Sequence, residues 1–182
     1  MEILKNTKAI TTYDIALTGL MVAVIEVSKM LMAMLPNIEL TSFWIIMFTI
    51  FFGWKIVFVV PVFILIEGCV YGFGMWWVMY LYAWPLLAAI VWTIRKQDSV
   101  WVYSIISGVF GLCFGLLCSL PYFVVGFVGG GLRSGLLLAF NWWIAGIPFD
   151  IIHCVANFLL MFVLYKPIRS LMMKAKNMGY FS

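Results

Sequence analysis

Residues 38–71 read IELTSFWIIMFTIFFGWKIVFVVPVFILIEGCVY, an apolar run interrupted by Gly53-Trp54-Lys55. How this stretch divides decides the fold. A lysine beside glycine and tryptophan is hard to place at the centre of a hydrocarbon layer, where a charged side chain costs at least about 2.5–3.5 kcal/mol. The run is therefore expected to form two short spans, 38–52 and 56–71, rather than one long bent helix. A membrane-crossing helix needs roughly 20 apolar residues, and the rest of the chain supplies such stretches at about 13–35, 76–94, 100–125 and 136–165. They are separated by Pro36-Asn37, by Gly72 and Gly74, by Arg95-Lys96-Gln97-Asp98, and by an expected loop over 126–135 that contains Gly129-Gly130-Gly131 and Arg133.

Composition agrees with that division. Of 182 residues, 66% are hydrophobic and 10% are charged, against about 25% charged in soluble domains. Mean hydropathy is +1.14. The expected architecture is an all-α integral membrane protein of about six transmembrane helices, a single membrane domain over residues 1–182. The first apolar run is too long and too continuous with the body for a cleavable signal peptide. Cys69, Cys113, Cys118 and Cys154 all fall inside apolar runs, with no CxxC pair and no clustered histidine, so they read as small buried side chains and no metal site is expected.

Orientation follows from the bias of lysine and arginine toward cytoplasmic flanks. With six spans and the N-terminus inside, the cytoplasmic side receives Lys5, Lys8, Lys55, Arg95, Lys96, Lys166, Arg169, Lys174 and Lys176; the outside receives Arg133, and Lys29 lies within the first span. A single span over 38–71 would put Arg95-Lys96 and the basic tail on opposite sides, so the charges favour six spans with both termini cytoplasmic. The net charge of +4 is accounted for by this anchoring, and nucleic acid is not an expected partner.

The outer layer defined by this topology is rich in aromatic and amide groups: Asn37, Glu39, Trp76, Trp77, Tyr80, Tyr122, Asn141, Trp142 and Trp143. Tryptophan favours the membrane interface whatever its function. Neighbouring helical residues nevertheless point about 100° apart, so one member of each doublet should turn inward. Trp76, Trp77, Tyr80, Tyr122, Asn141, Trp143, Asn37 and Glu39 are the candidate substrate-binding residues. Ionisable groups within spans must find partners. Glu26 and Lys29 can neutralise each other at i, i+3, Glu67 must likewise find a partner, and Asp150, His153 and Asn157 form one polar stripe that reads as helix–helix glue, ligand contact or a proton relay. Small residues allow close helix approach. Ser107, Gly111, Gly115 and Ser119 suit internal packing, whereas Gly19 and Ala23 suit either internal packing or a partner's docking face.

Catalysis finds no support. Ser107-Gly108 and His153 lack a GxSG setting, no HExxH or paired-glutamate motif occurs, and the glycine run at 129–131 has no Lys-Ser sequel for nucleotide binding. No cofactor is expected.

In size and layout the whole chain resembles a substrate-binding S-component of an energy-coupling factor (ECF) transporter. The most specific likeness lies in residues 145–158, AGIPFDIIHCVANF, and 165–169, YKPIR, which resemble the family's last helix. Gly19 and Ala23 match its small-xxx-small docking motif, departing from the commonest alanine form. The resemblance implies a subunit of the prokaryotic plasma membrane that captures a water-soluble vitamin outside. It would work with a membrane coupling subunit and two cytoplasmic ATPases, which alone hydrolyse ATP. The Trp76-Trp77 doublet, Tyr82-x-Trp84-Pro85 and the Gly-Ile-Pro-Phe-Asp segment at 146–150 are most similar to cobalamin-associated members, and riboflavin, pantothenate, pyridoxine-type or queuosine-precursor ligands also suit aromatic walls. Other readings are a stand-alone secondary transporter or channel with Glu26, Lys29, Glu67, Asp150 and His153 as its ion path, or an assembly factor whose aromatics are interfacial.

Overall fold

The computed structural model describes residues 10–181; Lys5 and Lys8 of the basic set lie outside the described residues. All regular structure in this range is helical: α1 (Thr12–Met32), α2 (Thr41–Phe52), a 3₁₀ turn (Gly53–Lys55), α3 (Ile56–Tyr71), α4 (Met75–Ile94), α5 (Val100–Leu112) and α6 (Phe114–Asn177). Four stretches, Thr12–Met32, Thr41–Tyr71, Met75–Ile94 and Val100–Asn177, are long and apolar enough to cross a membrane.

Short side-chain ties show how these helices run. Thr11 caps α1, its hydroxyl accepting from Asp14 N–H at 3.2 Å. Asp14 also pairs with Lys55 at 3.0 Å, which brings the start of α1 to the α2–α3 turn. At the far end of the same two helices, Lys29 pairs with Glu67, so α1 and α3 run side by side in one direction. The chain reverses at Gly53, whose φ of 57° and ψ of −123° suit glycine alone and whose Cα faces the Trp92 ring. The expected division of 38–71 into two helices is therefore present.

Basic residues gather at the end marked by Lys55. Tyr13 donates to the Tyr180 carbonyl at 2.7 Å, Phe52 packs on Phe181, and Arg169 pairs with Asp98 at 2.8 Å. Tyr103 donates to the Ile94 and Gln97 carbonyls at 3.2 Å each, closing the α4–α5 turn beside Arg95 and Lys96. The opposite end carries the 33–40 connection, the 72–74 turn and the break in α6.

That break differs from expectation. Residues 126–129 and 132–135, expected as loop, are helical, and only Gly130 and Gly131 leave helical geometry, Gly131 at φ 74°. Gly126 and Gly135 are small because two helical arms meet there: a Cβ on Gly126 would lie 2.8 Å from the Ser134 carbonyl oxygen. The arm that begins in α5 thus continues through 129, and the returning arm descends from 132. The latter does not stop at Tyr165; it passes Pro167 and reaches Asn177, where Lys174 and Lys176 complement the helix dipole. Residues 115–130 carry the apex roughly 20 Å beyond Gly115 at 1.5 Å per residue.

α2 is the hub. Nine of its twelve residues are buried, on every face, against the surrounding helices, as expected of a helix that is apolar all round. The outside of the bundle is apolar too, with Leu31, Val57, Leu65, Leu81, Val128 and Val163 all exposed. Such a surface suits hydrocarbon rather than water. The ladder Ser107-Gly111-Gly115-Ser119 packs internally, as expected, with Gly111 against His153 and Gly115 against Asp150 of the returning arm. Because a Cβ on Gly111 would stand 2.9 Å from the His153 carbonyl, Gly111→Ala is expected to cost about 1–3 kcal/mol. Thermal unfolding in detergent should show it melting well below the parent, while Gly146→Ala, which faces open space, melts with the parent; equal melting of both variants would contradict this packing.

Candidate functional site

One cavity of about 290 Å³ opens at the end opposite the basic residues. The 33–40 connection forms its rim through Leu35, Asn37 and Glu39; Lys29 of α1, Tyr80 and Trp84 of α4, and Phe114, Asp150 and His153 of α6 form its walls. Local sequence explains the rim. Asn37 adopts φ 60°, a left-handed conformation that asparagine tolerates, and Pro36-Asn37 turns the chain back toward α2.

Glu39 then fastens the rim from below. Its carboxylate accepts from Thr41 N–H, from Ser42 N–H at 3.3 Å and from the Ser42 hydroxyl at 2.7 Å, capping the positive end of α2. It also bonds His153 Nε2 at 3.1 Å. Burial pushes the Glu39 carboxyl up, but the hydrogen bonds and charge of His153, with those of Thr41 and Ser42, outweigh it and hold it at about 2. Asn157, one turn further along α6, donates to the Ser42 hydroxyl at 3.2 Å. The stripe Asp150-His153-Asn157 is thus buried on one face and joins α6 to α2.

Across the cavity the polar partners differ from expectation. Lys29 is paired not with Glu26 but with Glu67 of α3, which is fully buried. Its ammonium also lies over the rings of Tyr71 and Tyr80, 5.0 and 5.5 Å from their centroids, a favourable arrangement for a cation. Glu26 is buried without an ion-pair partner. A residue three positions away on the same helix loses this competition because the α1–α3 contact buries Glu67 completely, and a buried charge left alone is the costlier state.

Of the eight candidate binding residues, the cavity gathers Asn37, Glu39 and Tyr80. Trp76 stands behind Tyr80, edge-on at 5.2 Å. Trp77 does not line the cavity: it is tied to α3, donating from Nε1 to the Ile64 carbonyl at 2.8 Å. Tyr122, Asn141 and Trp143 also lie away from it, further up the two arms, where Tyr122 stacks on Trp142 at 3.9 Å. The cavity instead recruits Trp84, Phe114, Asp150 and His153. The signal for Trp84 was its four-residue spacing from Tyr80 on one face of α4. Gly19 and Ala23 are exposed on the outer face of α1, and a Cβ on Gly19 would meet nothing within 4 Å.

Among the described residues no group of three or more His, Cys, Asp or Glu side chains could hold a metal ion. Two wall atoms lack hydrogen-bond partners, Trp84 Nε1 and Asp150 Oδ2, and leaving such a group buried costs about 1–3 kcal/mol. Comparison with protein-family models, curated proteins and solved structures gives no match.

The Lys29–Glu67 pair yields a direct test. Lys29→Met leaves Glu67 buried without its partner and should cost about 3 kcal/mol, the low end for breaking a buried pair because Lys29 itself is partly exposed. Lys29→Met combined with Glu67→Leu should recover most of that loss in thermal unfolding. A double variant as unstable as the single one would contradict the pairing.

Proposed function

We propose that this chain is the substrate-capture subunit of an ECF-type importer for a water-soluble vitamin or vitamin precursor. It would cross the plasma membrane of a prokaryote six times with both termini in the cytoplasm. The observation that carries the reading is the position of the cavity. It opens at the end opposite Lys55, Arg95, Lys96, Lys166 and Arg169, the end that the distribution of basic residues assigns to the outside. The six crossings are supported by the chain reversals at Gly53 and at Gly130-Gly131.

Two further features support this division of labour. The exposed Gly19–Ala23 face leaves α1 free to lie close against a coupling subunit, which with two ATPases would supply the energy. The cavity combines aromatic walls with a few polar groups, as small-molecule sites do. Its volume of about 290 Å³ lies at the lower end of the ~300–1,000 Å³ usual for ligand pockets. That favours a ligand of one or two rings over cobalamin, the first expectation from resemblance.

A second reading, an ion-coupled transporter, is favoured by one observation: Glu26 and Glu67 are buried beside each other at the level of Lys29. Proton-driven flux into liposomes without ATPases would identify it.

In the proposed role, the isolated chain in detergent binds one member of a vitamin panel at submicromolar concentration and copurifies with a coupling subunit. Gly19→Leu abolishes copurification and uptake but leaves vitamin binding unchanged. Absence of both binding and copurification for the parent chain would overturn the importer reading, and loss of binding in Gly19→Leu would overturn the docking assignment.

A further inference from the structure

The basic end carries a concavity of its own, a groove of about 760 Å³ between the α4–α5 turn and the last turns of α6. From α6 it receives Lys166, Arg169, Ser170, Met173 and Lys174, which recur at three- and four-residue steps along one helix face. Asp98 of the turn supplies a carboxylate to its wall. That carboxylate accepts from the Tyr165 hydroxyl at 3.2 Å and pairs with Arg169 at 2.8 Å, so its charge is taken up in holding the turn to α6. Lys166 and Lys174 form no ion pair among the described residues. Two uncompensated ammonium groups in one groove attract an anion.

What lies beside the groove narrows the choice of anion. Trp101, on its α5 side, is exposed and leans on Phe162 and Phe158 of α6, their ring centroids 4.8 and 6.4 Å away. Further along the same α5–α6 seam, toward the middle of the bundle, is an apolar hollow of about 280 Å³, lined by Ile105, Gly108 and Val109 of α5 and by Val155, Phe158 and Leu159 of α6. Both hollows fall on one stripe of each helix, since 101, 105 and 109 on α5 and 155, 158, 162 and 166 on α6 are three or four residues apart. From Lys166 to Val155 the helix rises roughly 16 Å, about half of a ~30 Å hydrocarbon core. A soluble anion would use the polar hollow alone. Anchoring the chain at the interface would need the lysines but no apolar hollow in line with them.

We propose that this seam holds an anionic phospholipid of the leaflet at the basic end, with its phosphate in the basic groove and one acyl chain running past Trp101 and Phe158 into the hollow beside Val109 and Val155. Uncompensated charge at one end, an apolar hollow at the other and the depth of one leaflet between them carry the assignment. It does not depend on what the cavity at the opposite end binds.

The test uses the full chain in non-ionic detergent and native mass spectrometry with dioleoyl phosphatidylglycerol and dioleoyl phosphatidylcholine, which share their chains and differ in net charge. The parent should retain phosphatidylglycerol about tenfold more than phosphatidylcholine, as expected where several basic side chains meet an anionic headgroup. Lys166→Gln combined with Lys174→Gln should remove most of that preference. Lys96→Gln combined with Lys176→Gln, which alters net charge equally but lies outside the groove, should keep it. Val109→Trp, at an exposed position in the apolar hollow, should lower phosphatidylglycerol retention several-fold. Inorganic phosphate at millimolar concentration should not compete. All five positions are exposed, so each variant should melt with the parent. Equal retention of the two lipids by the parent, or retention unaffected by Val109→Trp, overturns the proposal. Equal loss in the two double variants overturns it in favour of bulk charge, and displacement by phosphate overturns it in favour of a soluble anion. If Lys166→Gln with Lys174→Gln leaves lipid retention intact but abolishes copurification with a coupling subunit, the groove is a protein-docking face and the lipid assignment falls.

Discussion

Glu39 closes the polar interior. One carboxylate caps the N-terminus of α2, bonds His153 of α6 and, through Ser42, reaches Asn157. α2 is apolar on every face and buried on nearly all of them, so packing alone would leave its rotation and depth weakly specified. Directional bonds at its first turn fix both, and they fix the 33–40 rim and the returning arm of α6 to the same point. The flanks of the bundle expose mainly apolar side chains, so the polar side chains buried between the helices find their partners in one another.

Function follows from that confinement. A bundle dressed for hydrocarbon must gather its buried polar side chains somewhere, and here one such group surrounds the cavity, between Lys29–Glu67 on one wall and Asp150–His153 on the other. The opposite end is built from basic side chains, aromatic clamps and tight turns, and carries an open groove of about 760 Å³ between the α4–α5 turn and the last turns of α6, lined by Asp98, Lys166, Arg169 and Lys174. In the proposed role the first end captures a ligand and the exposed small-residue face of α1 meets a partner, with no chemistry needed between them. The buried Glu26–Glu67 neighbours remain the one feature that ion-driven transport would use more directly than capture.

Much of this was legible in the sequence. Helix ends at Met32, Phe52, Tyr71 and Ile94 fall close to the proline, glycine and charged punctuation that marks them, because breaking a helix is a local event. The rim residues Asn37 and Glu39 were legible because they sit at such a break, and Tyr80, inside α4, as an aromatic one turn on from Trp76. The α6 hairpin was not, because glycine in a membrane helix has two meanings: Gly126 and Gly135 look like loop residues but serve close packing of two arms. Reading them as a loop shortened both arms and placed Tyr122, Asn141 and Trp143 beside a pocket that lies deeper, at the level of Phe114 and His153. The partner of Lys29 was likewise beyond local reading. Glu26 is nearer in sequence, but Glu67 is brought up by the packing of α3, which only the folded bundle decides.

The central claim is that the cavity faces the exterior of the cell while the basic end faces the cytoplasm. Replacing the four native cysteines with alanine and placing a single cysteine at Asn37, on the cavity rim, or at Asn177, at the end of α6, allows it to be measured with a membrane-impermeant maleimide on intact cells. Asn37→Cys should be labelled before lysis and Asn177→Cys only after it. Labelling of Asn177→Cys in intact cells, with Asn37→Cys protected until the membrane is broken, would contradict the account.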